Sequence, residues 1–202
     1  MTTHALLIVD MQHDFVDEDG AVPCQDALKV VSKIKNLSLE ARRAGIPIIY
    51  TREVHRPQKV DFGRELDGDE ALHCVEGTKG AEIVEELEPE ESDYVINKRR
   101  YSAFFGTDLA ILLKGLAVDT LCITGVATDV CVYLTAMDAH QFDFKVRIPK
   151  DCVAGTNRDA HDAALAAVER LQKGSVIEST KIIQTFHEMK TETKPNSPTT
   201  RL

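Results

Sequence analysis

The sequence predicts an α/β fold of three layers, a mostly parallel sheet with helices on both faces. Three observations carry this expectation. Short apolar runs recur along the 202 residues, segments with helical spacing separate them, and the separations are too long for hairpins.

Residues 5–9 (ALLIV) read as the first strand, because an uninterrupted apolar run of this length suits a strand buried on both faces of a parallel sheet. Asp10 ends it. Asp26 stands where an N-cap would, and the following stretch puts Val30, Val31, Ile34, Leu37 and Ala41 at helical spacing, with Gly45 as the stop. Residues 46–50 (IPIIY) form the second strand. A polar stretch from Arg52 to Gly80 follows without periodicity, and a loop of that length is more often functional than idle.

Residues 94–97 (YVIN) are the next strand, 107–114 a short helix stopped by Gly115, and 120–124 (TLCIT) a strand whose turn Gly125 marks. A helix over 128–140, a strand over 144–148, an amphipathic helix over 157–171 and a short strand over 175–177 complete the alternation. The domain is expected to span 1–189. Residues 190–202 (KTETKPNSPTTRL) lack the apolar content to fold and read as a disordered or loosely attached tail.

Composition narrows the function. With 43% hydrophobic and 28% charged residues, the chain can bury an ordinary core. A net charge of −9 disfavours nucleic acid and anionic membrane, since the one dense basic cluster is Lys98-Arg99-Arg100. No signal-like or membrane-spanning run is present, and five cysteines without close pairs point to a reducing compartment, the cytoplasm.

In open α/β sheets ligands bind beyond the carboxyl ends of the strands. Asp10, Lys98 and Cys131 all fall at or just past such ends. Cys131 in the first turn of its helix would be biased toward a thiolate by free N–H groups and the helix dipole, with Lys98 adding to the bias. Each residue alone has a plainer reading: Asp10 as a cap, Lys98 as a solvated charge, Cys131 as a small core residue.

The segments ALLIVDMQHDFV (5–16), NKRRYSAFFGTDL (97–109) and TGVATDVCVYLTAMDA (124–139) resemble the signature blocks of isochorismatase-like cysteine hydrolases, which include nicotinamidases and N-carbamoylsarcosine amidases. The resemblance covers nearly the whole chain up to the tail, with the blocks in the expected order and spacing. The resemblance implies the family's Rossmann-like topology, a catalytic triad of Asp10, Lys98 and Cys131, and a cis peptide between Val126 and Ala127 that directs the N–H groups of Ala127 and Cys131 at one oxyanion. It implies a cysteine-dependent amidohydrolase cleaving a C–N bond through a thioester. The founding isochorismatases lack a cysteine at this place, so Cys131 points to amide or ureide hydrolysis.

The resemblance also implies pocket-lining roles for Phe15, Tyr101 and Phe104, for which core packing is an equal reading, a homo-oligomer, and a small amide or ureido substrate. The triad itself requires no cofactor, but Glu53-Val54-His55 and His73 match the carboxylate and two histidines with which nicotinamidases hold a metal, with glutamate replacing the usual aspartate. This makes zinc or iron an option there, against the plainer reading of His55 as a loop residue and His73 as a turn residue. The same loop carries Arg52, Arg56 and Arg64, which would either pair with an acidic substrate or balance Glu53, Asp61 and Glu65 at the surface. A flavodoxin-like binding module without catalysis is the alternative from another class, weakened by the absence of a glycine-rich phosphate loop. A redox protein pairing Cys131 with a second cysteine is disfavoured by the absence of Cys-x-x-Cys.

Overall fold

The structure, a computed structural model, describes residues 3–68 and 70–192. Strand β1 (His4–Val9) lies at the centre of a parallel sheet, flanked by β2 (Ile48–Glu53) and β4 (Thr120–Val126). The sheet order is β3 (Tyr94–Lys98), β2, β1, β4, β5 (Lys145–Pro149), β7 (Val176–Ile177), and β6 (Val153–Ala154) pairs with the end of β4. The mostly parallel sheet wrapped by helices is therefore as the sequence predicts.

The side chains of β1 divide between two cores, as a strand period of two requires. Leu6 and Ile8 meet Val30, Ile34, Leu37 and Ala41 of α2 (Ala27–Ala44), whereas Ala5, Leu7 and Val9 share the opposite core with Leu113, Ala136 and Leu165. Those last three come from α3 (Leu109–Gly115), α4 (Tyr133–Gln141) and α5 (Arg158–Leu171). A four-residue helix α1 (His13–Val16) follows β1 directly.

Several boundaries differ from expectation. Asp26 occupies the N-cap position of α2, but its carboxylate pairs with Lys29 at 2.7 Å and makes no capping bond. Gly45 closes α2 at φ +72°, as expected of a left-handed stop. Strand β2 runs on to Glu53 and β4 to Val126, carrying both beyond their apolar runs.

The stretch 128–140 opens as one turn of π-helix over Thr128–Val132, with Val132 N–H donating to the Ala127 carbonyl at 3.1 Å, before α4 begins. The sequence reading leaves 178–189 unassigned, yet α6 (Ser179–Glu192) forms there and buries Ile182 and Phe186 against the core that α2 covers. The helix thus takes in 190–192 of the expected tail, and 193–202 lie outside the described residues.

Gly125 lies inside β4 and is not a turn after it. At φ +104°, a Cβ there would stand 2.0 Å from the Val9 carbonyl oxygen. This close approach of β1 and β4 sets Asp10 beside the segment leading to Cys131. Gly125→Ala is expected to cost about 3 kcal/mol or more, from positive φ and backbone overlap together. Urea unfolding checks this, and a loss under about 1 kcal/mol would contradict it.

Candidate functional site

Three strands deliver the site. Asp10 follows β1 directly, with φ +48° and its N–H bonded to Thr51 Oγ1 at 3.1 Å. Positive φ is uncommon for a residue with a side chain and persists where the surroundings fix it. Thr51 Oγ1 also donates to Asp10 Oδ1 at 2.6 Å, which fixes the carboxylate as well as the backbone. The register of β2 with β3 places Glu53 directly opposite Lys98.

Lys98 Nζ meets Asp10 Oδ2 at 2.7 Å, Glu53 Oε2 at 2.7 Å and the Arg100 carbonyl at 3.0 Å, with Cys131 Sγ at 3.5 Å. All four side chains are buried. Asp10, Lys98 and Cys131, far apart in the chain, are thus brought together by the fold, and Glu53 joins them.

Burial, the largest influence on each of these groups, acts against charge. It raises the Asp10 carboxyl above its usual range, and the Glu53 charge adds to this, outweighing Lys98. Glu53 stays well below the usual range despite burial, because Lys98, His55 and His73 stabilise its anion. Burial would lower Lys98, but Asp10, Cys131 and Glu53 hold it well above its ordinary value, so it is an ammonium.

Cys131 departs from the sequence expectation of a thiolate. Burial raises it strongly, and the Asp10 and Glu53 charges add to this against the pull of Lys98. A buried thiolate beside two carboxylates and one ammonium would carry surplus negative charge, so the resting group is a thiol, with Sγ 3.8 Å from Glu53 Oε2. Alkylation of Cys131 by iodoacetamide is therefore expected to keep rising with pH past the ordinary thiol value of about 8.5, and a plateau below pH 8 would contradict it.

A second cluster shares Glu53. Its Oε1 accepts from His55 Nε2 at 3.0 Å or faces it, and lies 3.2 Å from His73 Nε2. Glu65, which sequence reasoning missed, brings Oε2 to 3.2 Å from His55 Nε2 and 4.0 Å from His73 Nε2. One donor atom from each of the four residues lies within 4.8 Å of all the others.

These separations resemble the ligand–ligand edges of tetrahedral zinc, about 3.3–3.6 Å for bonds near 2.0–2.2 Å. His73 Nδ1 donates to the Ala71 carbonyl at 2.8 Å, which turns the Nε2 lone pair of the neutral ring toward the cluster. Neither oxygen of Glu65 makes a hydrogen bond of good geometry, although both are buried. The residues present fit a metal. In its absence, bonds to Glu53 and Glu65 outweigh burial and raise His55 to about 9.

The remaining expectations divide. Phe15 packs against His73 with ring centroids 5.5 Å apart. The Tyr101 hydroxyl lies in the fields of Glu70, Glu65, Glu53 and Cys131. The Phe104 ring stacks on Phe142 at 5.1 Å and approaches Phe144 at 6.0 Å. Val126-Ala127 is cis, which sets Ala127 at the entry to the π-turn that carries Cys131.

Arg52 bonds Asn97 and Glu82, Arg56 pairs with Asp61, and Arg64 with Asp67. They therefore balance other surface acids, while Glu53 and Glu65 face inward to Lys98 and the histidines.

Gln12 is a further residue that sequence reasoning missed. Its Nε2 donates to the carbonyls of Glu53 (2.7 Å) and Ala81 (2.9 Å), and its Oε1 accepts from Glu53 N–H at 2.8 Å. It holds the end of β2 in place. Thr51 had a readable signal, since 51, 53 and 55 alternate onto one face at the end of β2.

Residues 4–181 match the isochorismatase domain. The isochorismatase-like hydrolase of Alkaliphilus metalliredigens is similar at 32% identity and TM-score 0.84, covering 92% of this chain and 100% of that one. A pyrazinamidase of Pyrococcus horikoshii, solved in complex with zinc, shares 34% identity at TM-score 0.77 over 87% of this chain and 97% of its own. Ureidoacrylate amidohydrolase of Yersinia enterocolitica is 31% identical, over 82% of this chain and 81% of its own length. The chain belongs to the isochorismatase family.

Proposed function

We propose that this protein is a cysteine amidohydrolase that cleaves the C–N bond of a small amide or ureide through a thioester on Cys131. The coarse class, a hydrolase of carbon–nitrogen bonds other than peptide bonds, is that of its family relatives. The observation that carries the finer reading is the contact of Lys98 with Asp10 at 2.7 Å and Cys131 at 3.5 Å, all three side chains being buried.

Asp10, its carboxyl raised by burial, takes the Cys131 thiol proton as sulfur attacks the carbonyl carbon. The N–H groups of Ala127 and Cys131 hold the oxyanion. Asp10 returns the proton to the leaving nitrogen, the C–N bond breaks, and ammonia or an amine departs. Asp10 then deprotonates water, which attacks the thioester and releases the acid and the thiol. Lys98 keeps Asp10 oriented and balances the charge. Five free cysteines fit a cytoplasmic setting.

Glu53, His55, Glu65 and His73 would hold a metal, zinc or iron, and such an ion would supply a Lewis-acid contact for a substrate heteroatom beside the triad. Elemental analysis of protein purified without added metal is expected to find roughly one ion per chain. Its absence after expression in metal-replete medium would contradict the assignment.

Hydroxylamine tests the intermediate. Added during turnover, it is expected to intercept the thioester and yield a hydroxamate at the expense of the acid while ammonia release continues. Acid as the sole product at high hydroxylamine would count against a thioester.

A further inference from the structure

Building on the amidohydrolase reading, we propose that the substrate of this site carries no carboxylate: the Cys131 pocket excludes anions and accepts uncharged or cationic amides. The argument is an inventory of charge and of unused donors.

Lys98 is the one ammonium at the nucleophile, and an ammonium has three N–H donors. Asp10, Glu53 and the Arg100 carbonyl take all three at 2.7, 2.7 and 3.0 Å. A substrate carboxylate would have to displace one of these partners and leave it buried without compensation.

The nearby arginines are committed elsewhere. Arg99 donates to the Val54 carbonyl and approaches Asp61, while Arg100 donates to the carbonyls of Asp61 and Arg99. Arg52, Arg56 and Arg64 point to Glu82, Asp61 and Asp67. Among the described residues, none of these five guanidiniums is left in the fork geometry that carboxylate recognition favours.

Against Lys98 stand three buried carboxylates, Asp10, Glu53 and Glu65. Glu70, on the loop between Glu65 and His73, stands on the same side: its charge reaches Tyr101, although burial, with Glu65 and Glu53, raises its own carboxyl above the usual range. Maleamate, ureidoacrylate and N-carbamoylsarcosine all bear a carboxylate, for which neither Lys98 nor these arginines keeps an uncommitted charge beside Cys131. Nicotinamide or another neutral amide meets no such cost.

Iodoacetamide and iodoacetate differ by this one charge and report on the pocket without needing turnover. Their rate constants at Cys131 of the wild-type protein would be measured at one pH by peptide mapping, each divided by the rate with 2-mercaptoethanol. The normalised preference for iodoacetamide is expected to exceed about tenfold, from repulsion between like charges at close range. Glu70→Gln, outside the proposed catalytic set, should narrow it.

An equal or reversed ratio would overturn the inference, as would labelling by neither reagent. Ammonia release from nicotinamide, maleamate and maleamate methyl ester is scored alongside. Best turnover of maleamate sinks the anion exclusion and leaves the hydrolase reading intact. An intact alkylation ratio without hydrolysis of any amide sinks the hydrolase reading alone.

Discussion

Replacing Lys98 by methionine is expected to lower stability by about 3–5 kcal/mol, the usual cost of leaving a buried ion pair half removed. Methionine keeps the length and apolar stem but leaves Asp10 Oδ2 and Glu53 Oε2, both 2.7 Å from the lost ammonium, facing each other without a cation. For a chain of this size the loss corresponds to a fall in Tm of about 10 °C or more. Differential scanning calorimetry reads it directly.

A second variant separates the structural from the catalytic part. Lys98→Met with Asp10→Asn removes one of the stranded charges, so part of the stability should return while amide hydrolysis stays absent. A single Lys98→Met variant as stable as wild type would show that the pair is not the compensated buried cluster described here.

The second large effect is at Cys131. Cys131→Ala is expected to reduce kcat by about 10⁵–10⁶, since losing the nucleophile of an acyl-transfer site removes nearly all chemistry beyond binding and oxyanion stabilisation. Stability should change little. The side chain is small, and its removal also relieves Asp10 and Glu53 of a buried neighbour that they disfavour ionising. This combination, an inactive protein with wild-type unfolding, distinguishes a nucleophile from a core residue.

Much of this was legible in the chain, for identifiable reasons. Residues 5–9 and 121–123 are apolar throughout because both faces of β1 and β4 meet helices, and Gly45 ends α2 because only a left-handed residue closes it there. Asp10, Lys98 and Cys131 were visible as polar residues just beyond strand ends.

What escaped reading depends on register or on tertiary company. Glu53 bonds Lys98 because β2 and β3 pair in one particular register, and no linear spacing shows that. Glu65 enters the histidine cluster from a 3₁₀ turn inside an aperiodic loop, where pattern is silent. Helix α6 has only a sparse apolar stripe, and its neighbour α2 supplies the surface that makes it worthwhile. The thiol state of Cys131 could not be read from its helix position, because it comes from burial first and then from two carboxylates that arrive from other strands.

The central claim is that Cys131 is the nucleophile of an amide hydrolysis. It is tested most directly by measuring ammonia release from one neutral amide with wild type and Cys131→Ala side by side, both verified as folded. The account predicts steady release by wild type and release indistinguishable from the uncatalysed background by the variant. Ammonia release by Cys131→Ala at a rate comparable to wild type would contradict it.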